Sequence, residues 1–149
     1  MRSFPELLTS SRRIILAGWI LMGAAACDAI EAREPAALAL EDFSGGWLGR
    51  WTAELGTAQQ TGDLSFSVAD GDVAGFGHND SLSQAFAISG RLEADGGAAL
   101  VYTYPDQVFQ VGGPYGFDSD EHLVGAFEMK QGERILGTTS INLRDPERP

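Results

Sequence analysis

The chain has 149 residues, of which 44% are apolar and 21% charged, and these values fit one packed domain and argue against a wholly disordered protein. Nineteen glycines without a strict three-residue repeat exclude collagen and predict many turns. Ten basic residues against 21 acidic residues give a net charge of −11, which repels the phosphates of nucleic acids and anionic lipids. We therefore expect no nucleic-acid partner.

Residues 1–26 have the pattern of a signal peptide. Arg12 and Arg13 form a positive region, and the uncharged, mainly apolar stretch 14–26 follows them. This stretch is shorter than the roughly 20 residues that a membrane-spanning helix needs, but it fits the apolar region of an export signal. Because the two arginines are adjacent, the motif is compatible with twin-arginine export as well as with the general secretion route.

Cys27, the only cysteine of the chain, directly follows three alanines. This arrangement resembles the signal of bacterial lipoproteins, and the resemblance implies cleavage before Cys27, a diacylglycerol on its thiol and a membrane anchor. The alternative is an ordinary signal peptide, which would leave an unpaired thiol in an oxidising compartment. We predict an exported protein that is lipid-anchored to the cell envelope, either to the outer membrane or to the periplasmic face of the inner membrane.

Residues 27–42 are predicted to form the lipidated cysteine and a flexible tether. Alanines in this segment favour helix, but Pro35 interrupts any helix that they would form. The folded domain is therefore expected to begin at residue 43 and to extend to residue 149.

Residues 43–149 show the two-residue period of β-strands in eight successive runs. Turn sequences such as Asp70-Gly71 and Gln131-Gly132 separate the runs, and they leave no room for crossover helices. We predict an all-β domain, a small eight-stranded antiparallel up-and-down β-barrel, with a two-sheet sandwich as the alternative. The first two runs lie near residues 47–55 and 63–68, and the others near 72–78, 84–94, 98–104, 107–112, 122–130 and 134–144.

Two stretches resemble known barrel families. The segment Gly112-Gly113-Pro114-Tyr115-Gly116, followed by residues 121–127, resembles the late-barrel signature of transferrin-binding-protein-like surface lipoproteins. The pattern Gly46-x-x-Gly49-x-Trp51 is similar to the first strand of calycins, a group that includes avidin-like barrels. The first resemblance implies binding of a protein partner or host factor, and the second implies a small apolar ligand inside the barrel.

Tyr115 and Phe117 are the first candidates for partner binding. Glycines and a proline make residues 112–121 a poor strand, so we predict a long loop there. Its two rings are expected either to protrude as anchors for a protein partner or to close one end of the barrel. Asp118 and Asp120 add negative charge to the same loop and are further candidates. The loop lacks the pattern of a calcium hand, so we expect solvated carboxylates and no metal.

Trp51 and Tyr102 are the candidates for a site inside the barrel. They are among the aromatic residues expected on inward faces, and these are numerous enough to fill a small barrel. If the interior were open, the two rings would form walls for an apolar ligand. In either case Trp51, Phe66 and Phe127 are predicted to be almost wholly buried.

The sequence contains no Gly-x-Ser-x-Gly elbow, HExxH pair, Walker loop or dinucleotide fingerprint. His78, Asp80 and Ser81 lie within one predicted turn, where exposed polar residues are the usual content. Only two histidines are available as zinc ligands. We therefore expect a non-catalytic binding protein that uses no cofactor.

Overall fold

The computed structural model describes residues 39–148. A 3-10 helix at Leu40–Phe43 precedes eight strands. The predicted signal peptide, Cys27 and residues 28–38 of the tether lie outside the described residues. Within residues 39–148, no helix has the length and apolarity needed to span a membrane. The strands are β1 (Gly45–Leu55), β2 (Ala58–Ala69), β3 (Asp72–Asn79), β4 (Gln84–Leu92), β5 (Gly97–Thr103), β6 (Val108–Phe117), β7 (Leu123–Gln131) and β8 (Arg134–Arg144).

Each strand pairs antiparallel with the next, and β8 pairs back with β1, so the sheet closes into a barrel. This confirms the predicted all-β, eight-stranded antiparallel barrel and excludes the sandwich. The turn between β2 and β3 shows how the sequence produces this topology. Asp70 and Gly71 have φ values of 50° and 83°, the left-handed conformation that a two-residue hairpin requires. Closure leaves no strand of the described sheet with an unpaired edge.

The prediction of a long loop over residues 112–121 is wrong. Strand β6 continues through Gly112, Gly113 and Pro114 as far as Phe117, and only residues 118–122 connect it to β7. Gly113 is needed at this point because a Cβ there would lie 2.6 Å from the carbonyl oxygen of Ala126 on β7. Gly113, one of the glycines that suggested a loop, therefore permits close approach of two strands.

Inward-facing side chains fill the barrel. Trp51, Phe66 and Phe127 are 1%, 4% and 2% exposed, which confirms their predicted burial. A Cβ at Gly77 would overlap the ring of Phe86, so the glycine on β3 makes room for the aromatic ring on β4. The described core is thus a continuous cluster of apolar side chains inside the wall.

The two barrel ends differ in their connections. At the Phe43 end, the 3-10 helix enters, β8 ends, and turns 70–71, 93–96 and 118–122 join the strands. At the Leu82 end, turns 56–57, 80–83, 104–107 and 132–133 join them.

Candidate functional site

The interior candidates Trp51 and Tyr102 are both part of the packed core. Trp51 packs edge-on against Phe86, with ring centroids 5.7 Å apart, and its indole N–H donates to the carbonyl of His78 at 3.2 Å. Tyr102 lies 4.9 Å from the same Phe86 ring and has no exposed surface. The structure thus brings the two predicted residues together around one phenylalanine, as filling of the interior rather than as walls of an open chamber.

The hydroxyl of Tyr102 is the exception to good polar pairing in this core. It is buried and has no hydrogen-bond partner among the described residues. Burial raises the pKa of Tyr102, because the phenolate would be deprived of water. Its neighbour Tyr104 is paired, since Asn79 donates to the Tyr104 hydroxyl at 3.2 Å. One unpaired hydroxyl beside packed rings is not a ligand cavity.

At the Phe43 end, Tyr115 and Phe117 pack on Phe43. The Tyr115 ring meets Phe43 edge-on at 4.9 Å, and its hydroxyl donates to the carbonyl of Glu93 at 2.8 Å. Phe117 also contacts Phe43: the two rings stack with centroids 4.3 Å apart, and Phe117 keeps 37% of its surface exposed. The guanidinium of Arg148 lies 5.8 Å from the centre of the Phe117 ring, within cation–π distance. Both predicted rings therefore help to close this end, and Phe117 retains one open face.

Asp118 organises the short loop that follows β6. One of its carboxylate oxygens accepts the backbone N–H groups of Asp120 and His122, both at 2.9 Å. Asp120 is exposed and lines a polar depression of about 290 Å³ together with Asp145 and Arg148. No group of three metal-ligating side chains is brought together within residues 39–148. In this loop, Asp118 holds the backbone and Asp120 faces solvent.

The outer wall carries a surface that the sequence reasoning did not single out. Phe76 is 71% exposed, the highest value among the large apolar side chains described. It stands in a row across four strands, since Leu48 pairs with Ser65, Ser65 with Phe76, and Phe76 with Ala87. We call this surface the Phe76 face; it consists of Leu48, Ser65, Ala74, Phe76, Ala85 and Ala87.

A groove lies beside the Phe76 ring. Leu48 and Phe76 form its two sides and Ser65 lies between them, and the open volume is about 540 Å³. A second depression continues past Ala74 towards Pro146. Small side chains on both sides of Phe76 leave the ring projecting above the wall. The face thus combines a projecting aromatic ring and an adjacent recess.

The groove is lined by four charged or titratable side chains, Arg50, Asp63, His78 and Arg144, and Asp80 lies beside Arg50. Arg50 contacts Asp63 at 2.9 Å and Asp80 at 3.1 Å, and His78 contacts Asp80 at 3.1 Å. The hydrogen bond from His78, followed by the one from Arg50, holds the pKa of Asp80 below its usual value. The interaction with Asp63 raises the pKa of Arg50. Because Asp80 binds Arg50 as well as His78, the geometry is that of a surface ion-pair network.

The alternation of β3 contains a signal for the Phe76 face. Phe76 lies on the same side of the strand as Asp72 and His78, whereas Val73 lies on the opposite side with the buried Asn79. A strand with charged residues on one face turns that face outward. The phenylalanine on the polar face is therefore an exposed aromatic residue, and this alternation could have identified it.

No protein-family model matches the chain, and searches among curated proteins and solved structures found no match.

Proposed function

We propose that this chain is an exported lipoprotein of the bacterial cell envelope, anchored through Cys27, whose non-catalytic barrel binds a protein partner. The observation that carries the binding proposal is the filled interior, together with the exposed ring of Phe76 on the outer wall. A packed core has no room for cargo, so recognition uses the outside. The resemblance of residues 112–127 to transferrin-binding-protein-like lipoproteins also supports a protein partner.

The Phe76 face has the composition of a protein-binding surface. Aromatic residues and arginine are enriched in protein interfaces, and Phe76 lies beside Arg50 on this wall. A single exposed apolar side chain is common on protein surfaces. A ring beside an apolar recess differs, because a partner that covers both buries apolar surface and so stabilises the complex. Tyr115 offers less to a partner, because it is 8% exposed and closes the Phe43 end. Phe117, Asp118 and Asp120 remain candidates for a secondary contact.

The alternative function is a small apolar-ligand carrier of the calycin type. It would use Trp51 and Tyr102 inside the barrel, and the resemblance of Gly46-x-x-Gly49-x-Trp51 to calycins motivates it. These two side chains are 1% and 0% exposed, so a ligand would have to displace packed rings. This packing favours protein binding over transport of a cargo.

Native mass spectrometry of the chain purified in mild detergent from its own host's membranes tests this proposal. We expect the mass of residues 27–149 plus a lipid on Cys27, and no small molecule retained at one equivalent. We also expect a bound protein that is lost in the Phe76→Asp variant and kept in Ile135→Asp, which changes another exposed apolar residue. An apolar molecule retained inside the barrel would overturn the binding proposal in favour of a carrier.

The anchor is tested separately with Cys27→Ala. Position 27 precedes the barrel, which begins at Gly45, so the variant should still fold. It should appear in the soluble fraction, while the unaltered chain stays with membranes. Tetraethylammonium chloride or sodium chloride washes distinguish lipid anchoring from charge attraction, because salt screens only the latter. Retention of Cys27→Ala on washed membranes would contradict lipidation.

A further inference from the structure

We infer that the protein partner of the Phe76 face is a second copy of this chain. The inference rests on the proposed function only in its choice of binding surface. Two properties of the face lead to a second copy, its charge balance and its shape, and its small area limits the strength of the contact.

The Phe76 face is balanced in charge on a strongly acidic molecule. Residues 39–148 contain 17 acidic and 6 basic side chains. Around the groove, by contrast, the charges of Arg50 and Arg144 are matched by the carboxylate of Asp63, which lines the groove, and by that of Asp80, which is paired with Arg50. A cationic partner would be drawn to the acidic remainder of the surface rather than to this wall. Two copies repel one another least when they meet through a face whose charges cancel.

The shape of the face is complementary to itself. The ring of Phe76 projects on one side of Ser65, and the recess towards Leu48 lies on the other side. A two-fold axis between Ser65 and Phe76 would place each ring in the recess of the other copy. Isologous contacts have this requirement, since the same patch must supply both the projecting and the receiving part. The carboxylate of Asp63 and the guanidinium of Arg50 border both recesses.

The area of the face sets the strength of the contact. Four adjacent strands spaced by about 4.8 Å are roughly 19 Å wide, and the three positions 74–76 of β3 span about 10 Å along the strand. The face therefore covers roughly 200 Å², well below the approximately 800 Å² per partner of a standard stable interface. We therefore expect weak association in dilute solution. Lipid anchoring would confine copies to one surface and raise their effective concentration, as tethering does in general.

The experiment uses the full chain in its host membrane with Ser65→Cys. Because the thiol of Cys27 carries the lipid in the proposed protein, the introduced thiol is the one free to react. A short bismaleimide can span the distance of about 10 Å between two facing sheets. We expect a linked species of twice the chain's mass. Ile135→Cys, an exposed control position on β8, should give several-fold less. Added salt should increase linking, because it screens repulsion between acidic copies.

Phe76→Asp in the Ser65→Cys background should abolish the linked dimer without lowering the melting temperature, since the ring is exposed. Equal linking from Ser65→Cys and Ile135→Cys, no linking from either, or linking that survives Phe76→Asp would overturn the inference. Linking of Ser65→Cys to a different protein would also overturn it, while leaving the proposed binding function intact. A cargo retained inside the barrel would refute the proposed function without deciding whether the copies associate.

Discussion

The ring of Phe43 stacks on the ring of Phe117 with centroids 4.3 Å apart and planes within 6° of parallel. Phe43 comes from the 3-10 helix before β1, and Phe117 is the last residue of β6, so the contact joins the two sides of one barrel end. The carbonyl of Phe43 also accepts the indole N–H of Trp47 at 2.8 Å. The segment preceding the barrel thus supplies the side chain that closes it.

Loss of this closure should lower stability. In the double variant Tyr115→Ser with Phe117→Ser, one buried ring and one ring that is 37% exposed are lost from the Phe43 contact. We expect the free energy of unfolding to fall by about 3 kcal/mol, measured by urea denaturation. Ile135→Ser serves as the control and should stay within about 0.5 kcal/mol of the unaltered chain. A double variant as stable as this control would show that the rings do not close the end.

Truncation inside the core should have a larger effect. The ring of Phe127 is 2% exposed and covers Gly125 on its own strand. Phe127→Ala removes this packing and leaves a cavity, so we expect a loss of about 3–5 kcal/mol in the free energy of unfolding. Phe76→Ala, a phenylalanine truncated on the outer wall, is the matched control and should be nearly neutral. Similar losses from both variants would mean that Phe127 is not a core residue.

Asn79 at the end of β3 should be as sensitive as an apolar core residue. Its side-chain nitrogen donates to Gln60 at 2.8 Å and to the Tyr104 hydroxyl at 3.2 Å, and its oxygen accepts the backbone N–H of Leu82 at 3.1 Å. Asn79→Ala leaves these partners unpaired, so we expect the free energy of unfolding to fall by about 2–3 kcal/mol. Gln60→Ala keeps two of the three bonds and should cost less. A lower melting temperature for Gln60→Ala than for Asn79→Ala in thermal unfolding would contradict the role assigned to Asn79.

The three tyrosines should make the barrel sensitive to alkali. Burial raises the pKa of Tyr102, Tyr104 and Tyr115, and the carboxylates of Asp95 and Glu93 contribute at Tyr115. In the unfolded chain these groups ionise near the usual value of about 10. Their contribution to stability is thus fully present below that pH and is lost as the pH rises above it.

The measurement is a pH titration that follows tyrosinate absorbance at its ultraviolet maximum beside the circular dichroism of the strands. We expect tyrosinate to form only above about pH 10, the pH at which an exposed tyrosine ionises, and we expect the barrel to unfold at the same time. Ionisation of all three side chains at about pH 10 with the strands intact would show that the hydroxyls are accessible to water.

The sequence predicted the fold well because its information is local. Alternation around Leu64, Phe66 and Val68 is a property of neighbouring residues, and Asp70-Gly71 specifies its own turn. The extension of β6 to Phe117 was missed because Gly113 serves a contact with β7. Local composition does not show which residues a strand approaches.

The candidate site was less predictable because the pairing of strands creates it. Arg50, Asp63 and Asp80 lie on three different segments and meet only when β1, β2 and β3 are in register. Phe43 was expected at the boundary of the tether, and its role in closing the barrel depends on a strand more than seventy residues later. These side chains are distant in the sequence and meet only after the strands have paired, so no local pattern shows their contacts.

Photo-crosslinking in the native envelope tests most directly the claim that recognition uses the outer wall at Phe76. Benzoylphenylalanine is placed at position 76 in one variant and at position 135 in another, and the cells are irradiated before lysis. We expect a defined protein-sized adduct at position 76, either a second copy or another protein, and none at position 135. The same adducts from both positions, or no adduct at position 76, would contradict it.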